Sequence, residues 1–245
     1  MNKLAIISST LFFTNLAVAS DFRVSMDVDY LSGDYGTNDT TEMTVVTAKA
    51  RYKQDKWTMQ ATLPYMHVKG PSVVDGISLG GAGKTEHGLG DLKLSLAYLT
   101  YYSPESGYGF STKAKIKLPT ADEDKGLGTG ETDYYLQIDP FVVIDKTTIF
   151  STVGHKFYGD TSTTDYNNVW YVTLGASYKI DENLSFGLGG KFREKSTDTS
   201  EDKRSMFLFA QNKLTDQDSI DFNASKGFTD STQDWGIGLS YKHSY

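Results

Sequence analysis

The sequence predicts an all-β chain, a transmembrane antiparallel up-and-down β-barrel of about twelve strands, and three observations carry that reading. Apolar residues recur at every second position along nearly the whole chain after residue 21, the period of a strand with one apolar face. Most alternating stretches run 10 to 13 residues. Soluble strands average about 5–6, whereas a tilted strand crossing a bilayer needs about 9–11. The connectors alternate strictly long and short, as they do in outer-membrane barrels, with longer loops outside and tight turns on the periplasmic side.

The first element is a leader. "MNKLAIISSTLFFTNLAVAS" has an early Lys3, an apolar run from Leu4 to Leu16 and small residues at Ala17 to Ala19, the make-up of a secretory signal peptide. Ser8, Ser9, Thr10, Thr14 and Asn15 interrupt the run, so it is a poor spanning helix, which needs about 20 apolar residues. Cleavage is expected after Ala19, with Ser20 as the alternative. This gives a signal peptide over 1–19 and a barrel over 20–245.

Twelve strands then follow, at 22–31, 43–53, 56–67, 90–102, 108–119, 132–144, 147–158, 168–180, 184–193, 205–214, 219–228 and 234–245. In the first, Phe22, Val24, Met26, Val28 and Tyr30 face one way and Arg23, Ser25, Asp27 and Asp29 the other. The fifth sets Tyr108, Phe110, Ala114, Ile116 and Leu118 against Ser111, Lys113, Lys115 and Lys117. Segment 43–53 reads in either phase because Val45 and Val46 are adjacent. In 205–214, facing Met206, Leu208 and Leu214 outward keeps Gln211 and Lys213 inward. Pro140 falls inside a strand, where a bulge at Asp139–Pro140 is expected. The last segment alternates through Trp235, Ile237, Leu239 and Tyr241 to a terminal Tyr245. It is expected to pair with the first strand and close the cylinder, with Gly236 and Gly238 on the lumen side.

Composition narrows the function. A net charge of −7 argues against a general nucleic-acid binder, which needs a basic face. The absence of cysteine removes thiolate, disulfide and Cys-based zinc chemistry. Alternation alone also fits a soluble sandwich, but aromatics sit at both ends of the apolar rows. Tyr52, Trp57, Tyr102, Tyr108, Tyr178 and Tyr245 lie near the short turns; Tyr30, Tyr65, Phe157, Trp170, Phe192 and Trp235 lie near the long loops. Girdles of that form suit amphipathic rings between lipid and water.

Motifs for catalysis or cofactors are weak. "SLGGAGKTEHGLG" ends like a phosphate-binding loop at Gly83, Lys84 and Thr85, but Ser78 stands where glycine is required and no helix signal follows, so nucleotide binding is rejected. Asp122, Glu123, Asp124, Glu131 and Asp133 lack the spacing of a calcium-binding helix–loop–helix and read as a solvated acidic loop. His67, His87, His155 and His243 are scattered in sequence. Ser151 and His155, on the outward face of one strand, are the one candidate pair for a lipid hydrolase, and two polar outliers in a lipid-facing strand is the better reading. No catalytic residue, metal site or cofactor is implied. The residues expected to line the lumen are Arg23, Asp27, Lys49, Arg51, Lys93, Lys113, Lys115, Lys117, Gln137, Lys179, Lys191, Arg193, Asp221 and Asn223. Fixed charges there would select solutes, or pair with one another and plug a barrel of intermediate size.

The stretches "HGLGDLKLSLAYLTYY", "KAKIKLPTADEDKGLGTGETDYYLQIDPFVV" and "VGHKFYGD" resemble a family of bacterial outer-membrane proteins, the transporters of the meta-pathway of phenol degradation. The matching features are Gly88, Gly90 and Asp91 opening a strand, Lys117, Pro119 and Thr120 closing one, and the run from Gly126 to Gly130 followed by Asp133. Ala121 stands where that family commonly has glycine. The resemblance implies a signal-bearing barrel in a Gram-negative outer membrane that takes up small hydrophobic or aromatic compounds; no functional residue carries over. The expected function is a passive channel or transporter for small solutes, acting as a monomer. Its expected partners are outer-membrane lipid, the barrel assembly machinery and a small-molecule solute, with no nucleic acid.

Overall fold

The computed structural model describes residues 21–70, 73–74, 77–78, 85–159 and 164–245; the cleavage site expected after Ala19 lies outside them. Fifteen strands follow in order: β1 (Asp21–Gly33), β2 (Thr41–Gln54), β3 (Trp57–Lys69), β4 (Val73–Val74), β5 (Ile77–Ser78), β6 (Thr85–Leu89), β7 (Leu92–Tyr102), β8 (Tyr108–Leu118), β9 (Asp133–Ile144), β10 (Thr147–Phe157), β11 (Val169–Lys179), β12 (Leu184–Arg193), β13 (Lys203–Lys213), β14 (Asp218–Gly227) and β15 (Trp235–Ser244). β4 and β5 form a separate two-stranded hairpin. β6 and β7 together make one stave, since β3 pairs with β6 through Tyr65 to Lys69 and with β7 through Trp57 to Thr62. The result is a closed antiparallel barrel of twelve staves. Closure is obligatory in lipid, which offers no hydrogen-bond partner to an open edge.

The seam lies where the sequence puts it. β1 pairs with β15 from Arg23↔Ser244 to Ser32↔Trp235. The Tyr245 amide donates to the Phe22 carbonyl at 2.9 Å, and the rings of Phe22 and Tyr245 lie 5.8 Å apart. At the other end of the seam Tyr30 meets Trp235 at 5.4 Å.

The barrel is apolar outside. Met26, Met59, Leu96, Leu136, Leu174, Leu188, Leu208, Phe222 and Leu239 are all exposed, and every one stands on the outward register of its strand. A contiguous apolar surface of this extent around a closed sheet is a lipid-facing belt. The molecule is an outer-membrane β-barrel. Tight Asp-Lys turns close β2–β3 and β9–β10, with Asp55 and Asp145 at φ of 53° and 51°, a region aspartate tolerates.

Both ambiguous phases resolve. In β2, Thr41, Met43, Thr47, Lys49 and Arg51 share the face of Asp27 and Asp29 on β1. In β13, Met206, Leu208 and Leu214 are exposed and Gln211 is buried, as the polar residues require. Pro140, however, makes no bulge. β9 keeps one register with β8 through Pro140 and one with β10 on either side of it. Only the β10-side pairs at Asp139 and Pro140 drop out, and there the Thr152 hydroxyl donates instead to the Asp139 carboxylate at 2.6 Å.

The irregularity sits at Thr100, between Leu99 and Tyr101 on β7. The extra residue reverses the phase of the strand end, so Tyr101 faces lipid and Tyr102 faces the lumen, stacked on Phe141 at 5.9 Å. The girdle place expected for Tyr102 therefore belongs to Tyr101.

Gly238 on β15 has a specific steric role. A Cβ there would come within 2.4 Å of the Asn223 amide, and the Asn223 side chain of β14 donates across this gap to Asp29 of β1 at 3.3 Å. A side chain on the intervening strand would block that bridge. Gly238→Ala is expected to lower stability by about 1–3 kcal/mol in urea unfolding from micelles. Gly190→Ala, where a new Cβ meets nothing closer than 3.8 Å, should stay within about 0.5 kcal/mol of the parent.

Candidate functional site

The inward residues of ten or so staves converge on one cavity of about 740 Å³ inside the barrel. Its lining reaches from Tyr35, Thr232 and Gln233 at the long-loop end to Arg23 and Lys242 near the short-turn end. Nine basic side chains face it, from Arg23, Lys49, Arg51, Lys115, Lys156, Lys191, Arg193, Lys203 and Lys242, against three carboxylates, Asp27, Asp29 and Asp221. A chain of net charge −7 thus keeps a strongly basic interior, and low-dielectric walls focus such a potential.

The two sides of the cavity differ. On β14, β15, β1 and β2 it is ionic: Lys49 pairs with Asp27 and Lys242 with Asp221, while the Ser240 hydroxyl donates to Asp27 at 2.5 Å. Arg51 meets Asp21 at 2.5 Å. From β9 to β13 it is aromatic, with Tyr135, Phe150, Tyr171, Phe207 and Phe209 on the wall. Phe150 packs with Phe141, Tyr102, Phe207 and Phe209 into an apolar cluster inside the barrel. Two of these rings reach over glycines of β12: an added Cβ at Gly187 or Gly189 would fall 2.4 or 2.5 Å from the ring tip of Phe209 or Phe207.

Beside the cavity, on β7 to β10, runs a buried polar network. Lys117 lies 3.2 Å from Asp91 and 3.1 Å from Asp133, and Lys156 is 2.9 Å from Asp133. Lys113 faces Asp139 at 3.3 Å. Gln137 donates to Asp139 at 2.6 Å and accepts from the Tyr171 hydroxyl at 3.0 Å. Buried charges are tolerable when paired and hydrogen-bonded in this way.

This network holds the loop between β8 and β9 inside the barrel mouth. Lys117 donates to the Thr129 hydroxyl at 2.7 Å, and Asp91 accepts the Ala121 amide at 3.1 Å. Leu127 is then buried against Met43 and Val68, both on the inward face. A sequence reading as a solvated acidic loop is thus divided. Asp122 and Lys125 are exposed, whereas Asp133 is buried within the ion network. Of the Gly-rich stretch between β3 and β6, residues 79–84 lie outside the described residues; Thr85 opens strand β6 rather than a helix.

Of the fourteen residues expected to line the lumen, Arg23, Asp27, Lys49, Arg51, Lys115, Lys191, Arg193, Asp221 and Asn223 stand on the cavity wall. Lys113, Lys117 and Gln137 are tied into the neighbouring network. Lys93 and Lys179 occupy the inward register away from the cavity. The sequence reading missed Lys156, Lys203 and Lys242, which share the inward register of their strands, and the lumen aromatics Phe150 and Tyr171. It also missed that His67 and His87 are cross-strand neighbours, 6.4 Å apart. Ser151 and His155 do lie on the lipid face of β10, but four residues of strand hold them roughly 13 Å apart. His155 packs instead on Phe157 and Trp170 at 4.6 and 4.7 Å.

A sequence model of the family described as "Putative MetA-pathway of phenol degradation" matches residues 13–245. The chain belongs to this family. No curated protein matches the chain. Among solved structures, an outer membrane channel from Pseudomonas putida F1 superposes with a TM-score of 0.75 at 17% identity, covering 98% of this chain and 100% of that one. A KdgM porin gives a TM-score of 0.54 at 8% identity, covering 90% and 99%. The family member described here shares with both the closed antiparallel barrel.

Two substitutions test the packing of the loop. Lys117→Met leaves Asp91 and Asp133 with less compensation and is expected to cost about 3–5 kcal/mol in unfolding free energy. Leu127→Ala removes the anchor of the inward loop, at about 2–5 kcal/mol if the loop stays docked. Trypsin cleavage after the exposed Lys125 should then be faster than in the parent, read by mass spectrometry of the fragments.

Proposed function

We propose that this protein is a passive outer-membrane channel for small anionic solutes. The observation that carries the reading is the basic cavity, which extends from the loop end of the barrel toward the turn end with nine basic side chains against three acidic ones, Asp21 and Asp133 holding Arg51 and Lys156 from outside the lining. An excess of fixed positive charge along a water-accessible path favours anions and repels cations. A dry conduit for neutral hydrocarbons would be lined by apolar groups alone, so the solutes implied by resemblance, hydrophobic or aromatic, are narrowed here to those bearing negative charge. Two barrels of the same fold are described as a channel and a porin, which agrees with the reading. The docked loop and the aromatic cluster narrow the path, restricting it to small solutes.

The same reading includes export by a signal peptide cleaved after Ala19 and insertion by the barrel assembly machinery. The barrel is read as a monomer, since its closed ring leaves no strand edge to which a second copy could add.

Single-channel recording in planar bilayers across a potassium chloride gradient tests the proposal. A reversal potential showing preference for chloride over potassium is expected. Preference for potassium, or no conductance, would sink it.

A further inference from the structure

The lysines of the cavity wall are not treated alike. Lys49, Lys156 and Lys242 each hold a carboxylate, respectively Asp27, Asp133 and Asp221. Lys115 and Lys191 have no carboxylate within ion-pair distance among the described residues. Each stands over a ring instead: Lys115 lies 3.9 Å from the centre of Tyr135, and Lys191 lies 5.0 Å from that of Phe207. All four groups line the cavity. A cation enclosed by protein with no carboxylate in contact is costly, and a ring face offsets only part of that cost. An arriving anion would supply the rest.

From this arrangement we infer that the cavity is a binding site for small carboxylates with a flat apolar body, aromatic carboxylates being the best fit. The inference rests on the anion-channel reading and specifies its solute. The carboxylate is drawn to Lys115 or to Lys191, and the body lies on the rings beside each, Tyr135 with Tyr171 or Phe207 with Phe209. The opposite, ionic side is already internally paired and holds the solute less strongly. Ring stacking alone would admit neutral aromatics and charge alone would admit any small anion; a site with both discriminates against each.

Isothermal titration of the full mature chain in detergent micelles, with benzoate, acetate and benzyl alcohol as probes, separates these cases. Benzoate is expected to bind at least about tenfold more tightly than either of the others, the order of one stacking or one charge contact. The double variant Lys115→Met/Lys191→Met, shown to be folded by its heat-modifiable gel band, should weaken benzoate binding about tenfold. Equal affinity for benzoate and acetate, equal affinity for benzoate and benzyl alcohol, or unchanged benzoate binding in the double variant would each overturn the inference. The first two comparisons use the unaltered protein and hold even if the variant does not fold. Chloride conductance without benzoate preference would leave the channel standing and remove this site; benzoate binding without conductance would do the reverse.

Discussion

Every feature of this molecule depends on closing a ring of backbone hydrogen bonds in a solvent that forms none. In lipid each unpaired amide costs several kcal/mol, so β15 must find β1, and ten consecutive residues of each do so. Closure fixes the alternation. Once the registers are set, each second side chain must face lipid and each other one the interior, and no strand can change phase without an extra residue. Thr100 is where that happens on β7. Its effect is to turn Tyr102 into the lumen and give the lipid boundary to Tyr101.

Inside the ring the problem is reversed. Polar residues that avoid lipid must be satisfied in a narrow space, and the barrel does so with two kinds of wall. From β7 to β10 Lys113, Lys117 and Lys156 are matched to Asp91, Asp133 and Asp139, and that network also draws in the loop after β8. Around β14, β15, β1 and β2 a second set of pairs lies open to the cavity. Between them Lys115 and Lys191, which among the described residues have no carboxylate within ion-pair distance, stand over rings of the aromatic side. The anion selectivity proposed above would follow from this distribution rather than from a single residue.

The fold was legible because the lipid-facing pattern is strict. Strand ends fell within a few residues, and the seam from Phe22 to Leu31 was readable from its two complementary rows. The site was legible only in its charges. Phe207 and Phe209 carried no direction of their own, since β13 is apolar on both faces; only Gln211 and Lys213 fixed the phase that turns the two rings inward. Leu127 lay in a loop rich in acid and glycine, and its burial depends on Met43 and Val68, far away in sequence. Pro140 misled because a missing N–H is usually met by a bulge. Here the strand keeps its register, and the neighbouring side chains Asp139 and Thr152 bond across the gap. His67 and His87 become neighbours only through the register of β3 with β6.

The glycines beneath Phe207 and Phe209 have a wider consequence. With no side chain at Gly187 and Gly189, the rings can extend over the wall, so the bore of the barrel is gauged by ring size as well as by the number of staves. A lineage of such barrels could widen or narrow its path by exchanging one ring for a smaller or larger group, leaving the hydrogen-bonded cylinder and its lipid surface unchanged. Solute range could then diverge rapidly among proteins whose backbones superpose.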